Sequence, residues 1–526
     1  MNPATVSEQS STLIKALQNP GVYPDRPEVV TVIETHISWV LLTGRFAYKI
    51  KKPVVFGFLD FSTLEKRRFF CAEEIRLNRR LAKSVYLEVV SITGSVTNPA
   101  IDGDGPIIEY AVKMRQFEAG RLLSECAEKG MLGSAEIDQI ADMMSVFHQA
   151  AEVAAPSSPF GEAEDIRHWA DENFRHIVPL VPGGQENQLR TVELWSRVEW
   201  EQRSETMRER KRLGFIRECH GDLHLGNMTL IDGEVTVFDC IEFNPQLRWI
   251  DVISELAFIA MDLAHRKLER YGFRLINRYL QQTGDYHGLA LLRYYLVYRA
   301  MVRAKVALLR LNQSVDTDER NKIRTEYAGY VSLAESYTQA PQPRLMITHG
   351  FSGSGKSFFA SPLAENLGAI LLRSDIERKR LFGYKGHEST GSDAGTGIYT
   401  AAASRKTFRH LAALAESVLQ AGFSVIVDAT FLNADLRHQF RQIAVASQVP
   451  FLILDFQAPE PILRRRIAAR RLKGSDPSEA TEEILQRQMR SAEPLTAGEL
   501  ETVITIDSEN ENALAMALHA LQSVAS

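Results

Sequence analysis

The chain has 526 residues, enough for two or three domains with separate cores, and its 45% apolar share is that of an ordinary folded protein. A formal net charge of -5 and a pI near 6.3 exclude a general basic footprint for non-specific nucleic-acid binding. Cys71, Cys126, Cys219 and Cys240 lack C-x-x-C spacing, Met1–Gln18 lacks a signal-peptide pattern and no apolar run is membrane-length, so zinc, a disulfide framework and a membrane partner are not expected and the expected compartment is the cytoplasm.

Val6–Leu17 reads as a short helix. Alternation over Thr35–Leu42 and Arg45–Lys51 around Thr43-Gly44 predicts a β-hairpin, with Lys49 and Lys51 on one face and Phe46, Tyr48 and Ile50 on the other. Ser62-Thr63-Leu64-Glu65 has the form of a capping box and should start a helix reaching about Leu81. Glu74 is the one charge on its Phe70, Leu77, Leu81 stripe, and a carboxylate turned inward needs a cation. Tyr86–Ile92 and Ile107–Met114 read as strands, and Leu122–Leu213 as mainly helical.

The most informative stretch is His220-Gly221-Asp222-Leu223-His224-Leu225-Gly226-Asn227. Two short apolar strands follow, joined by the turn dipeptide Asp232-Gly233, and the second returns Asp239 toward Asn227. This spacing matches a kinase loop in which Asp222 takes or orients the proton of an attacking hydroxyl while Asn227 and Asp239 hold Mg²⁺ with hard oxygen ligands. The alternative is that these residues only shape turns.

His220–Asn227 resembles the catalytic loop of the aminoglycoside phosphotransferase and choline kinase group, H-G-D-x-H/N-x-x-N, and Asp239 resembles that group's second metal-binding aspartate. The resemblance implies an α+β protein-kinase-like bilobal fold over residues 1–338, with a small lobe at about 28–115 and a large lobe at about 118–338. It implies that Lys49 contacts nucleotide phosphates, with Lys51 as its rival, that Glu74 pairs with Lys49, and that adenine meets the hinge Lys113–Phe117. Cys240-Ile241 stands where protein kinases carry Phe-Gly, which argues against a protein kinase proper. Asp251 resembles the group's structural aspartate and reads as a helix cap.

Gln339–Pro343 reads as a linker to a second domain over 344–526. The buried-strand run Leu345–Thr348 leads into Gly350-Phe351-Ser352-Gly353-Ser354-Gly355-Lys356-Ser357, a complete Walker A motif. Its backbone amides converge on phosphate oxygens, Lys356 reaches the β and γ phosphates and Ser357 offers a hydroxyl to Mg²⁺. Pro362 should kink or shorten the helix that follows. Ala369–Leu372, Phe423–Val427 and Pro450–Asp455 read as further strands. Asp375 either orients an acceptor hydroxyl, with Arg378 nearby, or caps a helix, and Asp428 takes the Walker B position. In the arginine-rich run Leu463–Arg471, Arg466 and Arg470 share a face and are candidates for closing on the transferring phosphoryl group, followed by a polar loop, Lys473–Thr481. Gly386–Gly397 is a candidate acceptor loop.

From residue 344 onward the chain resembles the small-molecule and polynucleotide kinase branch of P-loop proteins, including zeta-toxin-like kinases, which implies an α/β P-loop fold with a parallel sheet. The two halves together resemble a bacterial fusion described as a bifunctional aminoglycoside phosphotransferase and ATP-binding protein. The expected function is transfer of the γ-phosphate of ATP, with Mg²⁺, to small-molecule hydroxyls at two sites. The alternatives are one kinase centre beside a nucleotide-responsive regulatory module, or a P-loop domain acting on a nucleotide sugar or a nucleic-acid 5′ end. The acceptor and the oligomeric state are not specified by these residues.

Overall fold

A computed structural model describes residues 3–57, 59–180, 186–311, 316–386, 388, 390, 396–473 and 481–523. The chain divides into two compact units. The first comprises Met1–Glu136, Val146–Glu162 and Arg208–Ile259, and the second Ile137–Ser145, Ala163–Met207 and Ala260–Ser526.

The first unit is built on a six-stranded sheet in the order Thr31–Glu34, Ser38–Leu42, Phe46–Lys51, Ile107–Arg115, Tyr86–Ser95, Asn98–Ile101, every neighbour antiparallel. Because side chains alternate along Phe46–Lys51, Tyr48 and Ile50 enter one core with Leu17, Tyr23, Leu41 and Ile92. Each such buried side chain contributes about 1.5–3 kcal/mol. Lys49 and Lys51 take the opposite face. There the helix Leu64–Asn78 lies on the sheet through Cys71 and Ile75, packed with Tyr86 and Val112.

That helix starts one residue later than the capping box requires. Asp60 Oδ1 accepts from both the Ser62 hydroxyl at 2.6 Å and its backbone N–H at 3.0 Å, so the N–H that Glu65 would accept in the box is already taken and Ser62 is not the cap. Thr63 replaces it, accepting from the Lys66 N–H at 3.3 Å.

The second unit holds helices and a five-stranded parallel sheet in the order Ala369–Arg373, Ser424–Asp428, Leu345–His349, Phe451–Gln457, Val503–Asp507. Inner strands buried on both faces read as continuous apolar runs, as Leu345–Thr348 does. The helix Lys356–Leu367 continues through Pro362. Proline deprives the Phe358 carbonyl of its partner, and Phe358 is 78% exposed, so the orphaned group falls on the solvent-facing turn and the helix persists to its Gly368 cap. The Gln339–Pro343 segment lies within this unit, between the helix Thr317–Thr338 and the first sheet strand. Much of the candidate acceptor loop, at 387, 389 and 391–395, lies outside the described residues, as do 474–480 of the polar loop after the arginine-rich helix. No helix among the described residues is long and apolar enough to cross a membrane.

Candidate functional site

In the first unit the loop His220–Asn227 is fixed from beneath. Gly221 has φ +90°, and a Cβ there would meet the Leu247 carbonyl at 2.8 Å, so the position demands glycine twice over. The helix Val252–His265 supplies Glu255, whose Oε1 accepts from the backbone N–H of His220 at 2.8 Å and of Gly221 at 2.6 Å. His148 Nε2 lies 3.0 Å from the other oxygen of Glu255. Burial alone would raise the Glu255 carboxyl, but the His148 hydrogen bond, the two imidazoles and the Gly221 N–H hold it at about 2. Burial lowers the His220 imidazole against the pull of Glu255 and Asp222. Candidate ligand atoms of His148, Cys219 and Glu255 lie within 4.8 Å of one another, yet Cys219 Sγ is directed at the Ile250 carbonyl at 3.6 Å and Glu255 is spent on the loop. We therefore assign the cluster to bracing. The sequence signal for Glu255 is that it interrupts the largely apolar run Val252–Ala260.

Above this brace, Asn227 Nδ2 donates to the Asp222 carbonyl at 2.9 Å and to its carboxylate at 3.1 Å. The carboxamide oxygen is then the ligand atom Asn227 can offer a cation. The strands Met228–Ile231 and Glu234–Val237 pair across Asp232 (φ 53°) and Gly233 (φ 84°), the expected hairpin turn. The Phe238 N–H donates to the Asn227 carbonyl at 3.0 Å, which returns Asp239 to the loop.

Asp239 itself sits at φ 66°, a conformation costing a non-glycine residue on the order of 1 kcal/mol or more. It is held there by its N–H donating to Tyr86 Oη at 3.1 Å and by the Cys240 N–H donating to Asn78 Oδ1 at 2.9 Å. Lys49 Nζ contacts Asp239 and lies 2.8 Å from Glu74. Lys51 lies 2.7 Å from the second Glu74 oxygen and contacts Glu242. The two lysines thus share Glu74, and Lys49 is the one that reaches Asp239. Burial would lower Lys49, but Asp239 and Glu74 outweigh it and hold the ammonium well above its usual range. Glu74 is driven the other way, to about 2, because Lys49 and Lys51 outweigh its burial. Burial raises Glu242 despite Lys51. A carboxylate and a carboxamide oxygen beside a fixed ammonium are a donor set that fits Mg²⁺ and phosphate. Asp251, with both oxygens on buried Arg210 at 2.7 and 2.9 Å, also accepts from the Ile253 N–H at 2.9 Å and is a structural cap.

In the second unit, the carboxyl ends of the parallel strands gather the other group of predicted residues. Gly350 (φ +131°), Gly353 (+86°) and Gly355 (+92°) bend the loop into the helix Lys356–Leu367. Lys356 Nζ curls back onto the carbonyls of Gly350 at 2.9 Å and Phe351 at 2.7 Å, and lies 3.5 Å from Ser354 Oγ. Burial lowers it to about 8 against the pull of Asp428 and Asp375. Burial raises Asp428, against Arg373 and a hydrogen bond with Ser357. A hydroxyl joined to a buried carboxylate fits a Mg²⁺ ligand pair. Asp375 lies in the first turn of the helix Ser374–Leu381, near enough to Lys356, Asp428 and Arg378 to act on each electrostatically. Arg378 donates to the Ile398 carbonyl at 3.0 Å and to Ser404 Oγ at 3.3 Å.

The predicted arginines divide. Arg466 is committed to the scaffold, donating to Ser508 Oγ at 2.7 Å, the Ser508 carbonyl at 3.0 Å and the Gly353 carbonyl at 3.4 Å. Arg470 is close enough to Lys356 to lower its basicity. Sequence reasoning assigned no role to Gln488, whose Oε1 accepts from the Ser352 N–H at 2.9 Å while its Nε2 donates to Ser352 Oγ at 3.0 Å.

Residues 345–495 match the AAA domain family AAA_33. Over 458 residues, covering 86% of this chain and 88% of the relative, the sequence is 30% identical to Rv2004c of Mycobacterium tuberculosis, described as uncharacterized, and to Mb2027c of Mycobacterium bovis, described likewise. Among solved structures, a choline/ethanolamine kinase family protein from Mesorhizobium loti is 13% identical, covering 62% of this chain and 99% of its own, with a TM-score of 0.34. The Mycobacterium tuberculosis APS kinase CysC, in complex with AMPPNP and APS, is 20% identical, covering 35% of this chain and 99% of its own, with a TM-score of 0.27.

Proposed function

The chain belongs to the family of the mycobacterial protein Rv2004c, matched over a length that takes in both units, and on that premise we propose that it is an ATP- and Mg²⁺-dependent phosphotransferase with two nucleotide sites, each directed at a hydroxyl of a small molecule. The observation that carries this reading is that one set of chemical parts occurs twice on unrelated scaffolds. Each unit has a buried lysine, a pair of oxygen donors suited to Mg²⁺, and a further aspartate in the same neighbourhood.

In the first unit, Lys49 would neutralise the nucleotide's phosphates, with Glu74 fixing the ammonium. Asn227 and Asp239 would hold Mg²⁺, which supplies charge neutralisation across the phosphates when bound. Asp222, its side chain 36% exposed, would receive the acceptor's proton. In the second unit, Lys356 and the loop amides would cradle the phosphates, Ser357 and Asp428 would hold the metal, and Asp375 would orient the acceptor hydroxyl, with Arg470 facing the phosphoryl group.

The test uses the full chain, γ-labelled ATP and a metabolite extract, with wild type, Asp222→Asn, Lys356→Ala and the double variant. Two labelled products are expected from wild type, each single variant losing one of them by about 10²-fold or more, and none from the double variant. One product abolished by one variant alone would support a single kinase centre with a regulatory partner site. Unchanged labelling in the double variant would refute both centres.

A further inference from the structure

In the second unit's sheet, Ala369–Arg373 is an edge strand, paired on one side with Ser424–Asp428. It leads directly into Ser374–Leu381, the helix that carries Asp375 and Arg378. On the unpaired side, the helix Glu269–Thr283 presents Asn277, 5% exposed. Its Nδ2 donates to the Ala369 carbonyl at 2.9 Å and its Oδ1 accepts from the Leu371 N–H at 2.7 Å. A carboxamide has the donor and acceptor of a peptide group, so Asn277 gives this strand the two bonds that a neighbouring strand would have made.

Three further contacts follow the same path. Tyr286 Oη donates to Glu377 at 2.9 Å, and Glu377, 1% exposed, lies two positions from Asp375 on the same helix. Arg380 bridges that Glu377 to the Gln281 carbonyl. Two helix-capping glycines make room for the fit. A Cβ on Gly284 would meet Arg380 at 2.9 Å, and one on Gly368 would meet Phe273 at 3.1 Å. Every contact here joins the segment 269–288 to the P-loop part of the chain.

We propose that Asn277 and Tyr286 are positioning residues of the P-loop centre, setting the acceptor-side helix and with it Asp375, so that this centre is complete only with the helical segment that precedes Gln339–Pro343. The proposal rests on the phosphotransferase reading for its effect on turnover, but the placement of the helix is tested independently.

The experiment uses the full chain in an Asp222→Asn background, so that labelled product reports the P-loop centre. Asn277→Leu and Tyr286→Phe remove hydrogen bonds with little change of shape. Amide hydrogen exchange over 369–381 is expected to rise about tenfold in Asn277→Leu, with 345–349 and 424–428 unchanged. With labelled ATP and serial dilutions of a metabolite extract, more extract should be needed for half-maximal product while half-saturating ATP stays within about twofold. Exchange that is unaltered over 369–381, or raised equally across all three strands, overturns the proposal, as does a parallel loss in extract and ATP dependence. If the parent makes no product, the phosphotransferase reading of the P-loop centre fails and the exchange pattern alone decides whether Asn277 and Tyr286 set the helix. Tyr286→Phe removes a single hydroxyl and supplies the same readouts if Asn277→Leu does not fold.

Discussion

Lys51 Nζ lies 2.7 Å from Glu74 Oε2 with neither side chain exposed, while Lys49 takes the other Glu74 oxygen at 2.8 Å. One carboxylate therefore orders two strand residues of the same face, and Glu242 closes the far side of Lys51. Removing one member of a buried pair strands the other's charge in low dielectric. Lys51→Met is expected to lower stability by about 3–5 kcal/mol, measured by urea unfolding. Lys51→Met combined with Glu242→Leu should recover part of that loss, because the second charge leaves with the first.

The brace beneath His220–Asn227 predicts a kinetic effect from a residue that touches no substrate. Glu255→Gln keeps an oxygen for the two backbone donors but removes the charge and turns an amide N–H2 toward His148 Nε2, so product formation dependent on Asp222 should fall about tenfold or more. His148→Gln, one step removed, should cost less. Equal turnover in Glu255→Gln and wild type would show that the loop keeps its shape without the carboxylate.

Burial lowers Lys356 to about 8 in the folded chain, against about 10.4 for a lysine in water. Between those values the unfolded state binds more protons, so the residue's contribution to stability rises with pH and is lost as pH falls through 8. Lys356→Met should accordingly be more stable than wild type at pH 7, by on the order of 3 kcal/mol, and the gap should close toward pH 10. Urea midpoints at pH 7, 8, 9 and 10 check the slope. Saturating ATP at pH 7 should narrow the gap, since phosphate restores a partner to the ammonium.

Gly353 and Gly44 share nearly the same backbone, φ +86° and +87°, but a Cβ on Gly353 meets the Leu463 carbonyl at 2.7 Å while Gly44 has open space. Gly44→Ala should cost about 1 kcal/mol of strain alone. Gly353→Ala must in addition push the loop off the helix Glu460–Lys473, and its ATP affinity should fall more than tenfold, read by calorimetry on the full chain.

What one dimension reveals is local. The spacing of Asp222, Asn227 and Asp239 is legible because a two-residue turn fixes the return of the strand, and Lys356 is legible because the glycines before it have one common use. Glu74 was found from helical periodicity, yet its sharing between Lys49 and Lys51 needed the strand's face to be seen. His148 and Glu255 are 107 positions apart, so no window of sequence joins them. The strand Val503–Asp507 is not legible because it is partly exposed and lacks a buried apolar run. The Ser62 cap fails for a local reason: Asp60, two residues earlier, takes the Ser62 N–H that the box would give to Glu65.

Asn277 also has a protective consequence. Parallel sheets end in a row of hydrogen-bonding groups able to recruit another copy of the chain, and here the carboxamide closes that border at Ala369 and Leu371. Severing the polypeptide between Gln339 and Pro343 and discarding the N-terminal portion would reopen it. Such a fragment should self-associate through the bared strand, which sedimentation across a concentration series would read as a rising mass that the full chain does not show.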